Sequence, residues 1–460
     1  MRRRLAMLWR PVWLVALLGV CLAAAGGGWY AWSVRQTDDL RRQAAAALDD
    51  RDFDTAQARL QAYVAARPKD GEARFLLAQA QRRARVEQLD QASDDLYQAR
   101  HLGYAGDDVD LEAALLDVQE NGPSPERMVV LQRYLDGGGS GEALALEALA
   151  RGCIDHSRLD EATGWLNRWI NRDPDDWYPH LWRGAIFEYL LQPKLAVSDF
   201  EFVVHKRPAD ELARLHFSLT TVLSGYDYKE ALQYLEPYSQ AHPDDLDALV
   251  AVARCRRMLG QADAAEALLR PVVAAHPDQA DALLTLAMVQ SDRGRDAEVL
   301  DTLHRLESAA RRRDGEASLA RLRRLEPVWN NMDPPERLRI VYTLEAATYE
   351  RLGNTENAAR CRTEADRIRT GMTDLATAIK EHHERPRDAA VLHRIGMLYM
   401  QLGMPEQGAE ALERALAENS DDPAAHLALA EYYETRDDPE ARRLAALHRQ
   451  LAGGPKAQGP

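Results

Sequence analysis

At 460 residues the chain could form two to four globular domains or one long array, and its composition, 46% hydrophobic but only 7% aromatic and rich in alanine, favours helix over strand. The formal charge of -15 is unevenly spread: residues 1–36 hold Arg2, Arg3, Arg4, Arg10 and Arg35 and no acid, leaving 53 of the 58 basic groups against all 73 acidic ones. A body so acidic repels phosphate backbones, which argues against nucleic acid as a partner.

The first element is a membrane segment. Residues 12–33 run for 22 positions without a charge, about 33 Å as a helix, the thickness of a bilayer core. Trp9 and Trp13 flank one end and Trp29, Tyr30 and Trp32 the other, where interfacial aromatics belong. Four arginines precede the span, so the tip stays in the cytoplasm and the body lies on the extracytoplasmic side, in a bacterium the periplasm. The predominance of arginine over lysine, together with the alanine excess, is usage associated with high-GC bacterial genomes. The competing reading is a cleaved signal peptide and a secreted body, with Val12–Leu22 as the apolar run and Ala23-Ala24-Ala25 as the cleavage site. Lipid attachment at Cys21 is disfavoured by Val20 in front of it. Ala24 and Gly28, four apart, could pack two anchors into a homo-oligomer.

The body reads as helical hairpins, and the stretch Leu159–Asp278 fixes their register. Ala162, Ala196, Ala231 and Ala265 recur at steps of 34, 35 and 34, each followed four positions on by Leu166, Phe200, Leu235 or Leu269. Pro174, Pro208, Pro243 and Pro277 close the units at the same steps. Where two antiparallel helices cross, only a small side chain fits; a larger one a turn later fills the space beside it. Proline then ends the second helix. This period and pairing mark a helix-turn-helix solenoid, and the chain resembles the tetratricopeptide repeat family.

The resemblance implies an all-α fold, a right-handed superhelical solenoid of antiparallel helix hairpins, here preceded by one N-terminal transmembrane helix. In chain order, Asp52-Phe53-Asp54, Ala56, Leu60 and Pro68 mark a first unit, and Leu77-Ala78, Leu89, Ala92, Leu96 and Ala99 a second. Two helices are readable at Asp108–Gln119 and Pro125–Asp136, bounded by Glu120-Asn121-Gly122-Pro123 and by the run Gly137-Gly138-Gly139-Ser140-Gly141. The glycine run is read as a hinge; no GK[ST] follows it as a phosphate loop would require. Beyond the central units, Leu286-Ala287, Gly294 and Leu303 make another without a closing proline. Arg311–Pro335 departs from the pattern, with one basic helix and then a proline-rich stretch. A unit resumes with Ala346, Tyr349, Leu352-Gly353 and Ala358, followed by a separate helix at Met372–His382. Leu392, Ile395-Gly396, Tyr399, Leu402-Gly403, Leu412 and Ala415 form the clearest late unit, and a hairpin at Ala424–Leu451 caps the array with a polar face. The resulting division is 1–36 cytoplasmic tip and anchor, 37–136 N-terminal repeats, 142–310 central array, 311–335 connector, 336–452 C-terminal repeats and cap, and 453–460 disordered tail.

Catalytic signatures are missing: no P-loop, GxSxG, HExxH, zinc-type cysteine spacing or dinucleotide fingerprint occurs, and neither a cofactor nor a metal is expected. Asp244-Asp245 and Asp421-Asp422 fall at inter-repeat turns, where they cap helices. His242 and His276 repeat before a proline, which points to local structure. Cys153, Cys255 and Cys361 are about three repeats apart, too far to pair, and read as buried thiols.

What remains is a surface. In the resembling family the first helix of each repeat lines a concave groove that holds an extended peptide or a partner's helix. Carrying the register over places Tyr178, Leu181, Trp182, Ala185 and Tyr189 there, then Ala213, His216, Phe217 and Thr220, then Arg254, Arg257 and Met258, then Leu284 and Met288. Trp169 falls in a core slot. The lysine and asparagine clamp that grips a carboxylate tail is absent, so chaperone-tail docking is not expected. The reading is a non-enzymatic, membrane-anchored scaffold for protein partners; the alternative is an accessory protein of cell-envelope polysaccharide export or assembly whose aromatic groove stacks on sugars.

Overall fold

The computed structural model describes residues 35–137, 140–310, 321–327, 334–385, 387–436 and 438–453, and all regular structure among them is helical. The expected membrane segment at 12–33 and the tail beyond Gly453 lie outside these residues. Among the described residues no helix is long and apolar enough to cross a membrane.

The predicted slots are where the helices meet. Ala162, Ala196, Ala231 and Ala265 are buried, and so are Leu166, Phe200, Leu235 and Leu269 four positions later. The helices Leu159–Arg172, Pro193–Lys206, Tyr228–Ala241 and Ala262–Ala275 each stop two residues before their proline. After the proline an acid starts the next helix: Asp70, Asp210 and Asp245 accept from the backbone N–H of Ala73, Ala213 and Ala248, each at 3.0 Å. Asp422 likewise caps Pro423–Glu434, so the acidic pairs do serve as caps. In the late unit glycines replace alanine at the crossing. A Cβ on Gly396 would stand 2.6 Å from Leu412 and 3.0 Å from the Gly408 carbonyl, so the two helices approach there as no other residue allows.

Within a hairpin the turn residue before the second helix takes a left-handed conformation. Gly225, Gly260, Gly294, Gly353 and Gly403 fill this slot with φ between 68° and 76°, where glycine has no steric penalty. Arg51, Ser157 and Leu191 occupy it in the first, fourth and fifth hairpins with φ of 60°, 59° and 54°.

The hairpins fall into two compact units. Among the described residues, one comprises those up to Ile186 together with 321–326, and the other those from 187 to 310 and from 327 on. The boundary falls inside the helix Tyr178–Tyr189. The glycine run read as a hinge lies within the first unit, between helices Pro125–Gly137 and Ser140–Asp155.

Two element expectations are corrected. The separate helix at Met372–His382 is the second half of one 30-residue helix, Thr355–Glu384, because nothing between Ala358 and Met372 breaks it: the stretch has neither proline nor a capping turn. The terminal helix Pro439–Ala452 does not present a purely polar face, since Leu447 and Leu451 are exposed beside its arginines. The basic connector helix appears, in its described part, as a single turn at 321–323. Cys153, Cys255 and Cys361 are free and buried as expected.

Candidate functional site

The aromatic residues that the sequence places in a groove sort into two different environments. Tyr178 and Trp182 are buried, at 5% and 3% exposure, and offer no contact surface. They belong to a cluster inside the amino-terminal unit. The Tyr178 ring meets Phe53, Trp169, Trp177 and Trp182 edge-on at 5.3 to 6.4 Å between centroids, a geometry that aligns ring edges with ring faces. The Arg51 guanidinium lies 4.7 Å from the Tyr178 ring and 5.6 Å from Trp169 and from Trp177. It forms a two-pronged pair with Asp176 at 2.6 and 2.8 Å. Asp176 in turn accepts from the Tyr178 backbone N–H at 3.0 Å, which fixes the start of that helix. This is why the expected groove position of Tyr178 and Trp182 fails: Phe53 and Arg51 of the first hairpin lie against Tyr178, and Tyr178 and Arg151 lie against Trp182.

Behind the rings lies a buried ionic network. Arg83 grips Glu147 at 2.9 and 2.7 Å and also lies 4.2 Å over the Phe53 ring. Arg151 donates to the Arg83 carbonyl at 2.5 Å and lies 5.3 Å over Trp182. Burial alone would raise the Glu147 carboxyl, but Arg83, then Arg82 and Arg151, hold it down at about 2. The network binds hairpins together, and its one carboxylate is occupied by guanidinium groups; it contains no base and nucleophile in hydrogen-bond reach.

In the second unit His216 is also taken into the core. Its Nδ1 lies 2.8 Å from Glu188, whose other oxygen accepts from the Thr220 hydroxyl at 3.2 Å, and its ring stacks on Phe200 at 4.7 Å. With both His216 and Glu188 fully buried, this is a structural pair.

The remaining positions stay accessible. Tyr189, Phe217, Arg254, Arg257 and Met288 are half-buried, and Met258 is 47% exposed beside exposed Leu259. The helices Glu211–Ser224, Leu246–Met258 and Ala280–Asp292, which carry Phe217, then Arg254 and Met258, then Met288, pack side by side, so these residues share one strip. Arg257 is committed to Asp292 at 3.0 Å. Arg254 has no ion-pair partner among the described residues, and burial pulls its guanidinium below the usual arginine range while Tyr228 and Asp281 act against that. The Met258 sulfur lies 3.4 Å from Arg257, and a partly desolvated cation on the same helix as an exposed methionine can take a carboxylate and an apolar side chain together.

Of the residues the register places in the groove, Arg254, Met258 and Met288 stay accessible, while Arg51, Arg83, Glu147, Arg151 and Asp176 lie outside its groove positions. One signal for these was present: Arg51 stands in a turn slot where other units have glycine.

Three segments match profiles described as tetratricopeptide repeat, over residues 41–100, 223–280 and 389–432. No curated protein matches the chain. Similar solved structures include a tetratricopeptide repeat protein from Parabacteroides merdae, 16% identical, covering 63% of this chain and 99% of that one, with a TM-score of 0.29. The Cut9-Hcn1 hetero-tetramer of the APC/C is 14% identical over 90% and 93% of the two chains, with a TM-score of 0.27. The TPR domain of P58(IPK) is 13% identical over 92% and 99%, with a TM-score of 0.28. The 34-residue period, the small-and-large pairing at each crossing and the three matched segments show that this chain contains tetratricopeptide repeats.

Proposed function

We propose that the protein is a non-enzymatic scaffold, anchored in the cytoplasmic membrane by residues 12–33 with its body on the extracytoplasmic side, and that it binds a protein partner along the strip of Phe217, Arg254, Met258 and Met288. The reading is supported by Arg254, half-buried and without an ion-pair partner among the described residues, on the same helix as the exposed Met258 and next to the helix that carries the half-buried Met288. Methionine side chains adapt to differently shaped apolar anchors, and the arginine selects an acidic neighbour. The partner segment is therefore acidic and apolar. The glycan reading needs an open aromatic platform, and with Tyr178 and Trp182 buried only Tyr189 and Phe217 of the expected groove aromatics stay half-buried.

A photo-crosslinking residue at position 258 tests the proposal in the native membrane. A single protein should be captured there, and Arg254→Glu should reduce the capture at least tenfold while leaving helical content unchanged. Equal capture in the Arg254→Glu protein, or capture that oligosaccharides abolish and acidic peptides do not, would sink it. A periplasm-active reporter fused after Pro460 checks the topology separately.

A further inference from the structure

One short stretch of the described chain does not stay with the repeats around it in sequence. Residues 321–326 group by contact with the amino-terminal unit, which otherwise ends at Ile186. Leu322 is fully buried and Leu325 nearly so, while Arg324 and Glu326 face solvent. Arg323 donates to the main-chain carbonyl of Asp155, and its Nε lies 3.8 Å from the Asp155 carboxylate. Arg324 lies 3.8 Å from Glu87. The stretch is thus one amphipathic turn with two leucines inward and two arginines set against acids from two different hairpins.

The receiving surface favours a cation for reasons independent of this occupant. Asp155 ends the helix Ser140–Asp155 and stands at the negative end of its dipole, although the carbonyls of Gly152, Cys153 and Ile154 already accept from the backbone N–H of His156, Arg158 and Ser157. Its side chain is only 10% exposed, yet Oδ2 has no hydrogen-bond partner among the described residues. The present occupant meets that demand incompletely: Arg323 stays 3.8 Å from the Asp155 carboxylate, and Arg324 stays 3.8 Å from Glu87 while its closer carboxylate is its own neighbour Glu326 at 2.8 Å. It also holds Leu325 at φ 55°, a left-handed conformation that a leucine keeps only where packing forces it. An unfilled carboxylate oxygen and a strained turn describe a fit that a better segment could replace.

We infer that the surface formed by Glu87 and Asp155 is a docking site for a short basic segment carrying two leucines three residues apart, and that residues 321–325 of the same chain are its resident, displaceable occupant. Binding at the amino-terminal unit is then conditional on release of the chain's own segment. The inference deepens the scaffold reading and rests on it for its purpose, but its geometry is separate from the Arg254 strip.

The probe is a fluorescein-labelled peptide of residues 318–327, titrated by anisotropy into the full-length chain in detergent micelles. Leu322→Ser with Leu325→Ser should vacate the site and tighten peptide binding at least tenfold over the unaltered chain. Adding Asp155→Arg should remove that gain. Equal affinity for the unaltered and vacated chains, or no effect of Asp155→Arg, overturns the proposal. Should the vacated chain lose its helical content, hydrogen exchange on the unaltered protein decides instead. Excess unlabelled peptide should raise exchange at residues 321–326, and a peptide with both leucines replaced by serine should not. Unchanged exchange at saturating peptide overturns the proposal. Loss of the crosslink at position 258 with intact peptide binding would sink the scaffold partner alone, and the reverse outcome would sink only this site.

Discussion

The two compact units are made from the same hairpin, and they differ in what they do with its inner helix. In the amino-terminal unit residues from distant hairpins meet: Arg51 of the first holds Asp176 at the start of the fifth, and Arg83 of the second holds Glu147 of the fourth. In the second unit the pairs run between adjacent hairpins, Arg257 with Asp292 and Arg351 with Asp296. An open repeat array makes only such neighbour contacts and leaves a continuous face for a partner. The first unit has closed that face with its own aromatic rings and guanidinium groups, and the second keeps Met258 and Met288 accessible. Identical periodicity therefore permits opposite surfaces, and a handful of residues outside the periodic slots decides between them.

The sharpest way to break this contrast is to remove one carboxylate from each unit. Glu147→Ala leaves Arg83 and Arg151 buried without their counter-charge and should lower the stability of the amino-terminal unit by about 3–5 kcal/mol. Glu236→Ala in the second unit removes a half-exposed partner of Arg256 and should cost less than about 1 kcal/mol. Hydrogen exchange read by mass spectrometry assigns each loss to its unit. Similar losses in both would mean that the first unit is no more internally consolidated than the second.

A second measurement uses pH. Burial pushes the Asp155 carboxyl up from 3.8 to about 6, against the pull of Arg151, Arg323 and His156 and with a push from Glu87. A carboxyl whose folded value is raised favours the folded state while protonated, so its contribution is present at low pH and is lost as pH rises through about 6. Asp155→Asn removes this dependence. Relative to the unaltered chain, the variant should gain about 2 kcal/mol in going from pH 4.5 to 7.5, measured by urea unfolding followed through hydrogen exchange of residues 140–155. A pH-independent difference would show that Asp155 is ionised and adequately solvated in the folded unit.

Much of the fold was legible because helix crossings recur. The spacing of Ala196 and Phe200, the stop at Pro208 and the cap at Asp210 each follow from local geometry that repeats with the unit. The closure of the first unit was not, since an i, i+34 pattern reports contacts between neighbours and says nothing of residues 125 positions apart such as Arg51 and Asp176. For the same reason the register could not tell that Arg151 and Tyr178 lie against Trp182, which is buried. The long helix Thr355–Glu384 runs past the repeat length because only Gly371, and no proline or capping turn, stands within it. Around Arg254, Met258 and Met288 no described residue from a distant hairpin is seen to intervene.

The smallest expected effect separates strain that serves closure from strain that serves nothing. Leu191 and Arg51 both occupy the left-handed turn slot that glycine fills in five other hairpins. A side chain there costs roughly 1–2 kcal/mol relative to glycine, because its Cβ crowds the following carbonyl. At position 191 the side chain is 37% exposed, so little packing is lost on replacement, and Leu191→Gly should be neutral or stabilising by up to about 1 kcal/mol. Arg51→Gly relieves the same strain but also removes the two hydrogen bonds to Asp176 and the contacts with Tyr178, Trp169 and Trp177. Those contacts are partly desolvated, and a lost cation contact with a ring amounts to about 0.5–2 kcal/mol, so the balance turns negative and Arg51→Gly destabilises. Opposite signs for the two variants in thermal unfolding would show that Arg51 is retained in a strained slot because it ties the first hairpin to the fifth. A stabilising Arg51→Gly would mean that the first unit stays closed without that tie, and that its aromatic cluster alone holds it shut.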